Sequence, residues 1–251
     1  MLKMISTIAL LSIAAAGPAQ EPAQTSRGFA MRGFDRIELG GCDIVTVSLG
    51  SGYAVTARGR AANIDNLRIE MTGSTLRIRR RNDSCNGHDR RVAIAVTLPS
   101  LKAVDVSGAA EMNLPALEAR AFAADASGAA VLRFGGLRSA SASFGLSGAS
   151  QATVRNLQAD RVSLGASGAS HLRVDGAARQ LTIDASGTGE VEARGLSAPA
   201  VTIGASGTAK VRAGSAQMAQ VSASGMANVT VEGQPRCTVS KSGLARIACG
   251  R

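Results

Sequence analysis

From residue 104 onward, apolar and polar residues alternate in short runs that restart at a nearly fixed interval. The restart is marked by Ser-Gly pairs: Ser107-Gly108, Ser127-Gly128, Ser147-Gly148, Ser167-Gly168, Ser186-Gly187, Ser206-Gly207, Ser224-Gly225 and Ser242-Gly243. Successive serines are 20, 20, 20, 19, 20, 18 and 18 residues apart. Three residues before each serine stand Val104, Ala124, Phe144, Leu164, Ile183, Ile203, Val221 and Val239, all apolar. Two further back, every position but Lys102 is apolar too, and the residue between is small or polar, as in Ser143, Ser163, Thr182 and Thr202. Alternation of this period predicts a strand with one buried face.

The pattern resumes after the glycine. Met112, Leu132, Ala152, Leu172, Val191, Val211, Val229 and Ile247 form one apolar column, and Leu114, Phe134, Val154, Val174, Ala193, Ala213, Val231 and Cys249 a second. A third holds Leu117, Leu137, Leu157 and Leu196. Each copy reads as strand, Ser-Gly corner, strand, then a loop with leucine tucked inward. A unit this short has no room for the helix of a βαβ crossover. Stacking each strand in parallel on its equivalent in the next copy buries all three columns at once. The predicted fold is all-β: a single-stranded right-handed parallel β-helix, or β-solenoid, with about 18–20 residues per coil. Eight coils at the usual strand spacing would span roughly 40 Å.

The Ser-Gly pairs read as corners. Glycine permits the positive φ and close backbone approach of a sharp bend, and serine can bond nearby backbone. A nucleophilic serine is the competing reading. An elbow of the Gly-x-Ser-x-Gly type is not present, because Gly165-Ala166-Ser167-Gly168-Ala169 misplaces its second glycine. Eight equivalent serines served by only two histidines also cannot all be catalytic.

Ahead of the repeat, residues 1–19 read as a secretory signal peptide: Lys3, an apolar run from Ile5 to Ala16, then small residues suited to cleavage. The run is too short for a membrane span, and no other is long enough, so the mature chain has none. Residues 20–33 are expected to be a disordered leader. Residues 34–103 hold alternating segments such as Asp43-Ile44-Val45-Thr46-Val47 and Val92-Ala93-Ile94-Ala95-Val96, separated by glycine turns. They are expected to form first turns or a cap on the regular coils of 104–251, since an open strand edge invites aggregation.

Several motifs in order carry a resemblance. Phe34-Asp35-Arg36-Ile37, Gly41-x-Asp43-Ile44 with Gly50, and Leu76-Arg77-Ile78 come first. Val96-x-Leu98-Pro99-x-Leu101 then leads into Val104-x-Val106-Ser107-Gly108 and its copies. Over residues 34–250 the chain resembles the GIN head-domain family of putative autotransporter adhesins. That resemblance implies a β-helical, exported bacterial protein with an adhesin-like role and no catalytic residues.

Four cysteines in an exported chain point to disulfides. Cys237 and Cys249 occupy inward columns on either side of the last corner, where a bridge would close the final coil. On loop entropy such a short closure is worth about 3 kcal/mol. Cys42 and Cys85 then pair by elimination.

The formal charge is +10, and its densest stretch is Arg77, Arg79, Arg80, Arg81, Arg90 and Arg91. Outside the cytoplasm such a patch would meet anionic polysaccharide or lipopolysaccharide; another envelope protein is a further partner class. Aromatics at 2% argue against base stacking and against a neutral-sugar platform. His88 falls in a polar loop and His171 in an outward column, so neither reads as a general base. Asp105, Asp125 and Asp184 share a column, but Gly145 and Gly165 interrupt it, leaving too few oxygens for calcium. No metal or cofactor is expected. The function expected is non-catalytic, an adhesin-like binding or structural protein of the envelope. The alternative is a polysaccharide-active β-helix enzyme of the lyase kind, which needs a walled, charged cleft.

Overall fold

The computed structural model describes residues 24–82, 85, 91–214 and 217–250. The expected signal peptide, His88 and Arg90 lie outside them. The regular region is a β-solenoid of about seven turns with parallel stacked strands. Three turns are each drawn as one long bent strand: β9 (Glu111–Ala126), β10 (Val131–Leu146) and β11 (Gln151–Ala166). The next is β12 (His171–Ala185), after which the turns divide into shorter pieces: β13 (Glu190–Ala193), β14 (Leu196–Ser197), β15 (Ala200–Ala205), β16 (Lys210–Ala213), β17 (Met218–Ala223), β18 (Asn228–Val231), β19 (Arg236–Lys241) and β20 (Arg246–Cys249). Register is that of equivalent positions: Phe134 pairs with Leu114 below and Val154 above.

The winding follows from a slip in the hydrophobic phase. In β10, Leu132 and Phe134 face inward, then Leu137, then Ala142, Phe144 and Leu146. The inward set passes from even to odd numbers and back, and the chain must bend at each slip to keep the same side buried. Neighbouring rungs exchange large for small: Phe122 lies beside Ala142, and Phe144 beside Ala124. Phe122 and Phe144 each meet Phe134 at centroid distances of 5.7 and 5.5 Å, edge to face, within the lumen.

The third bend is the Ser-Gly corner. Its glycines all have positive φ, from +67° at Gly187 to +78° at Gly108. Each rests on the glycine below: a Cβ on Gly148 would lie 2.7 Å from the Gly128 carbonyl oxygen. Corner amides are satisfied between rungs, Ala149 N–H donating to Gly128 at 2.7 Å. The single 19-residue interval has an equally local cause. One residue is missing from the bend after Val174, so Gly176 takes the place opposite Leu157. A Cβ there would lie 2.0 Å from the Leu157 carbonyl oxygen, and φ is +143°, so only glycine fits.

The N-terminal part does not wind in sequence order. It contains β1 (Gln24–Phe29), β2 (Arg36–Gly41), β3 (Ile44–Leu49), β4 (Ala54–Arg60), a short helix α1 (Ala61–Asp65), β5 (Leu67–Thr72), β6 (Thr75–Arg80), β7 (Ala93–Leu98) and β8 (Ala103–Gly108). β2 lies between β6 and β8, and β3 between β7 and β9, all in parallel. The rung β2–β3, with Gly41 at its corner, is thus laid down first and then sandwiched by later chain. Beyond β6 and β7, the antiparallel strands β5 and β4 end the stack.

β1 corrects the expectation of a disordered leader across 20–33. From Gln24 the chain is a strand, paired antiparallel with β4 from Gln24↔Arg60 to Phe29↔Val55. Backbone hydrogen bonds hold it; its side chains are almost all exposed. It covers the edge that β4 would otherwise leave open.

Both expected disulfides are formed, Cys42–Cys85 and Cys237–Cys249, with Cα separations of 5.8 and 6.4 Å. Beside the first lies a buried ion pair. Arg80 donates through Nε to Asp43 at 3.0 Å and through its second guanidinium nitrogen at 2.5 Å. Asp43 also accepts the Val92 amide at 2.8 Å. Their side chains are 2% and 0% exposed. Among the described residues, no helix is long and apolar enough to cross a membrane.

Candidate functional site

A long concavity runs along the Ser-Gly edge. It is a groove of about 810 Å³ crossing the rungs from Asp105 to Ser224. Its floor is the column two residues before each serine: Asp105, Asp125, Gly145, Gly165, Asp184, Gly204 and Ser222. One wall is the serine column itself, Ser127 to Ser224. The groove exists because this floor position faces outward yet carries so little side chain.

The carboxylates lie along the groove rather than across it. A Cβ on Gly145 would meet an Asp125 oxygen at 2.5 Å, and one on Gly204 an Asp184 oxygen at 2.8 Å. Asp125 and Asp184 therefore lean over the glycine of the next rung. Asp105 and Asp125 are direct neighbours in register. Partial burial, with the negative charges of Glu38 and Asp125 nearby, pushes the Asp105 carboxyl up, against a smaller opposing pull from Arg79. Among the described residues, no group of three or more His, Cys, Asp or Glu side chains converges as a metal site.

The corner serines are less occupied than their position suggests. Backbone pairing between rungs already satisfies the corner amides. Among the described corner serines, only Ser167 makes a side-chain bond, to the Leu146 carbonyl at 3.3 Å. The other hydroxyls are available to whatever enters the groove. No described hydroxyl is bonded to His171, whose Nδ1 lies 3.7 Å from Glu190 on the outward face of the adjoining strands.

The arginine run is dispersed. Arg80 is buried against Asp43 and presents nothing to solvent, which removes it from the surface patch expected from sequence. Arg77 pairs with Glu38 at 2.7 Å, and Arg79 pairs with the same carboxylate. Burial alone would raise Glu38, but the hydrogen bonds and charges of Arg79 and Arg77 outweigh it and hold the carboxyl below its usual range. Arg91 donates to the Ala109 carbonyl at 3.0 Å. Arg81 is exposed.

Solved structures share this fold at low sequence identity. A putative lipid binding protein from Parabacteroides distasonis is 16% identical, with a TM-score of 0.80 over 91% of this chain and 97% of that one. A putative adhesin from Parabacteroides merdae is also 16% identical, with a TM-score of 0.80 over 91% and 96%. One from Bacteroides fragilis is 15% identical, with a TM-score of 0.68 over 92% and 98%. At such identities the likeness establishes architecture alone. No curated protein matches the chain in sequence. The family model for the head GIN domain matches residues 33–235, the sandwiched first rung and nearly all of the coils. By that match the chain belongs to the family described as putative auto-transporter adhesin, head GIN domain.

Proposed function

We propose that the protein is a non-catalytic, adhesin-like binding module exported to the periplasm or cell surface, and that the Ser-Gly groove receives an extended polar chain. Two disulfides suit an oxidising compartment outside the cytoplasm. One observation carries the reading: the groove repeats the same chemistry, a hydroxyl beside a glycine or carboxylate, rung after rung. A surface that repeats every strand spacing, about 4.8 Å, complements a ligand that repeats along its own axis. Carboxylates on the floor favour a neutral or cationic polymer over an anionic one. The lyase alternative has little support, because among the described residues the groove lining holds no Lys, Arg or His to neutralise an acidic sugar's carboxylate and take its proton.

The test is binding of chitosan oligomers, as a cationic repeating probe, against alginate, followed by calorimetry. The chitosan should bind more tightly, and Ser147→Arg with Ser167→Arg, two bulky side chains on the groove wall, should abolish the difference. Chitosan binding by this blocked variant as tight as by the parent protein, or a preference of the parent for alginate, would reject the groove reading.

A further inference from the structure

The two ends of the solenoid are finished differently. The N-terminal end is covered by antiparallel strands, with Arg27 paired to Asp65 and Arg68 to Glu70. The C-terminal end is the bare rung β19–corner–β20, bridged by Cys237–Cys249. Its side chains depart from their columns in two ways. Two residues after the serine, the earlier turns have Ala109, Ala129, Ala149, Ala169, Thr188 and Thr208, whereas the last two have Met226 and Leu244, 60% and 78% exposed. Val239, from an interior column, is 46% exposed, with no described strand stacked above β19. Just before the last serine, Lys241 replaces the apolar residues of every earlier turn, such as Leu146 and Ala223. Arg236 and Arg246 complete an exposed cationic rim, and no described carboxylate pairs with any of the three. Past Glu192 the only acidic residue is Glu232, which Arg194 occupies at 3.3 Å.

We infer that this tip docks end-on to a lipid bilayer carrying anionic headgroups. A second copy fits poorly. Antiparallel self-pairing of β19 would set Arg236 opposite the other copy's Lys241, and like charges directly opposite are destabilising. A further coil stacked above would bury the Lys241 ammonium among apolar side chains. Protruding leucine, methionine and valine inside a ring of cations match an interface whose headgroups attract the charges and whose acyl boundary accepts the apolar ends. This surface is separate from the groove, so neither experiment decides the other.

Co-sedimentation with phosphatidylcholine vesicles, with and without phosphatidylglycerol, tests it. The protein should partition onto the phosphatidylglycerol vesicles, weakly onto neutral ones, and less as salt rises. Each tip cation removed should cost about fivefold in partitioning, so Arg236→Ser, Lys241→Ser and Arg246→Ser together should lose about 100-fold. Leu244→Ser should lose up to about tenfold. These positions are exposed, so melting temperatures should stay unchanged. Removing three flank arginines instead, with Arg120→Ser, Arg155→Ser and Arg161→Ser, should change partitioning far less. Equal losses from tip and flank variants, equal binding to neutral vesicles, or no binding to anionic ones would overturn the inference. So would concentration-dependent dimerisation abolished by Leu244→Ser without vesicle binding, which would assign the tip to a second copy.

Discussion

The regular turns and the N-terminal part solve the same packing problem by opposite means. From residue 104 onward each side chain is packed mainly against its own equivalents, and every requirement is met many times over in shallow increments. Between residues 34 and 103 each contact occurs once: Asp43 with Arg80 and Val92, Cys42 with Cys85, Glu38 with Arg77 and Arg79, Lys102 with Asp35. A stack can copy itself, but it cannot begin itself. The first rung needs partners that the repeat does not supply, and these singular contacts fix where the chain starts to wind.

The sharpest way to break this comparison is to remove a singular contact. Arg80→Ala leaves the Asp43 carboxylate buried without its cation, and should cost about 3–5 kcal/mol in denaturant unfolding. Arg138→Ala takes away an exposed arginine 3.7 Å from Glu118 in the regular turns, and should cost less than about 0.5 kcal/mol. Comparable losses would mean that the first rung is no more dependent on single contacts than the rest.

Within the coils, two glycines of one turn sharpen the point. Gly168 has φ +68°, and a Cβ would lie 2.8 Å from the Gly148 carbonyl oxygen. Gly168→Ala should therefore cost about 2 kcal/mol or more. Gly165 has ordinary φ, and the nearest atom to its Cβ would be 3.7 Å away. Gly165→Ala should stay within about 0.5 kcal/mol of the parent, or gain slightly from the stiffer unfolded chain. Equal effects in the same denaturation assay would show that the corner does not depend on its glycine column.

The smallest effect lies where the two regions join, and it depends on pH. The Lys102 hydrogen bond, helped by Ser74 and Arg36 and partly offset by burial, holds the Asp35 carboxyl below its usual range. Asp35 and Glu38 therefore contribute stability above the ordinary carboxylate pKa, and that contribution is lost as pH falls through their lowered values. Asp105 runs the other way. Its raised pKa is a penalty on the ionised folded state, present near neutrality and gone once both states are protonated. Asp105→Asn should raise stability at about pH 7 by under about 0.5 kcal/mol, since the partly buried group is still more than a third exposed and solvent screens it, and leave it unchanged at about pH 3. Thermal melts at the two pH values decide this, and a loss at neutral pH would contradict it.

Repetition is also what made one region legible in the sequence. Period-two alternation gave the columns, and the columns placed Cys237 opposite Cys249. The singular region hid its arrangement. Nothing in the order of segments shows that β2–β3 is sandwiched by later chain, because pairing over such distances leaves no local pattern. β1 was missed because an edge strand held by backbone bonds needs no apolar alternation. Arg80 is different, for its signal was present. Leu76, Ile78 and Arg80 share one parity, and the inward face of β6 is Leu76, Ile78 and Arg80. A charged residue on an apolar parity asks for a buried partner, and Asp43 is the acid beside the first corner. The groove left a fainter trace: the column from Asp105 to Ser222 holds only aspartate, glycine and serine, whereas the column four past each serine carries Gln151, His171 and Lys210.

The corner glycines have one further consequence. Since each sits on its equivalent with nearly identical backbone, excising residues 149–168 would join Gly148 to Ala169 and bring Ala169 to the place of Ala149, with Gly128 beneath it. A rod built this way can be lengthened or shortened by a whole unit through recombination, with no neighbour rewritten. The length of the stack is then a quantity that selection can adjust without redesigning the fold.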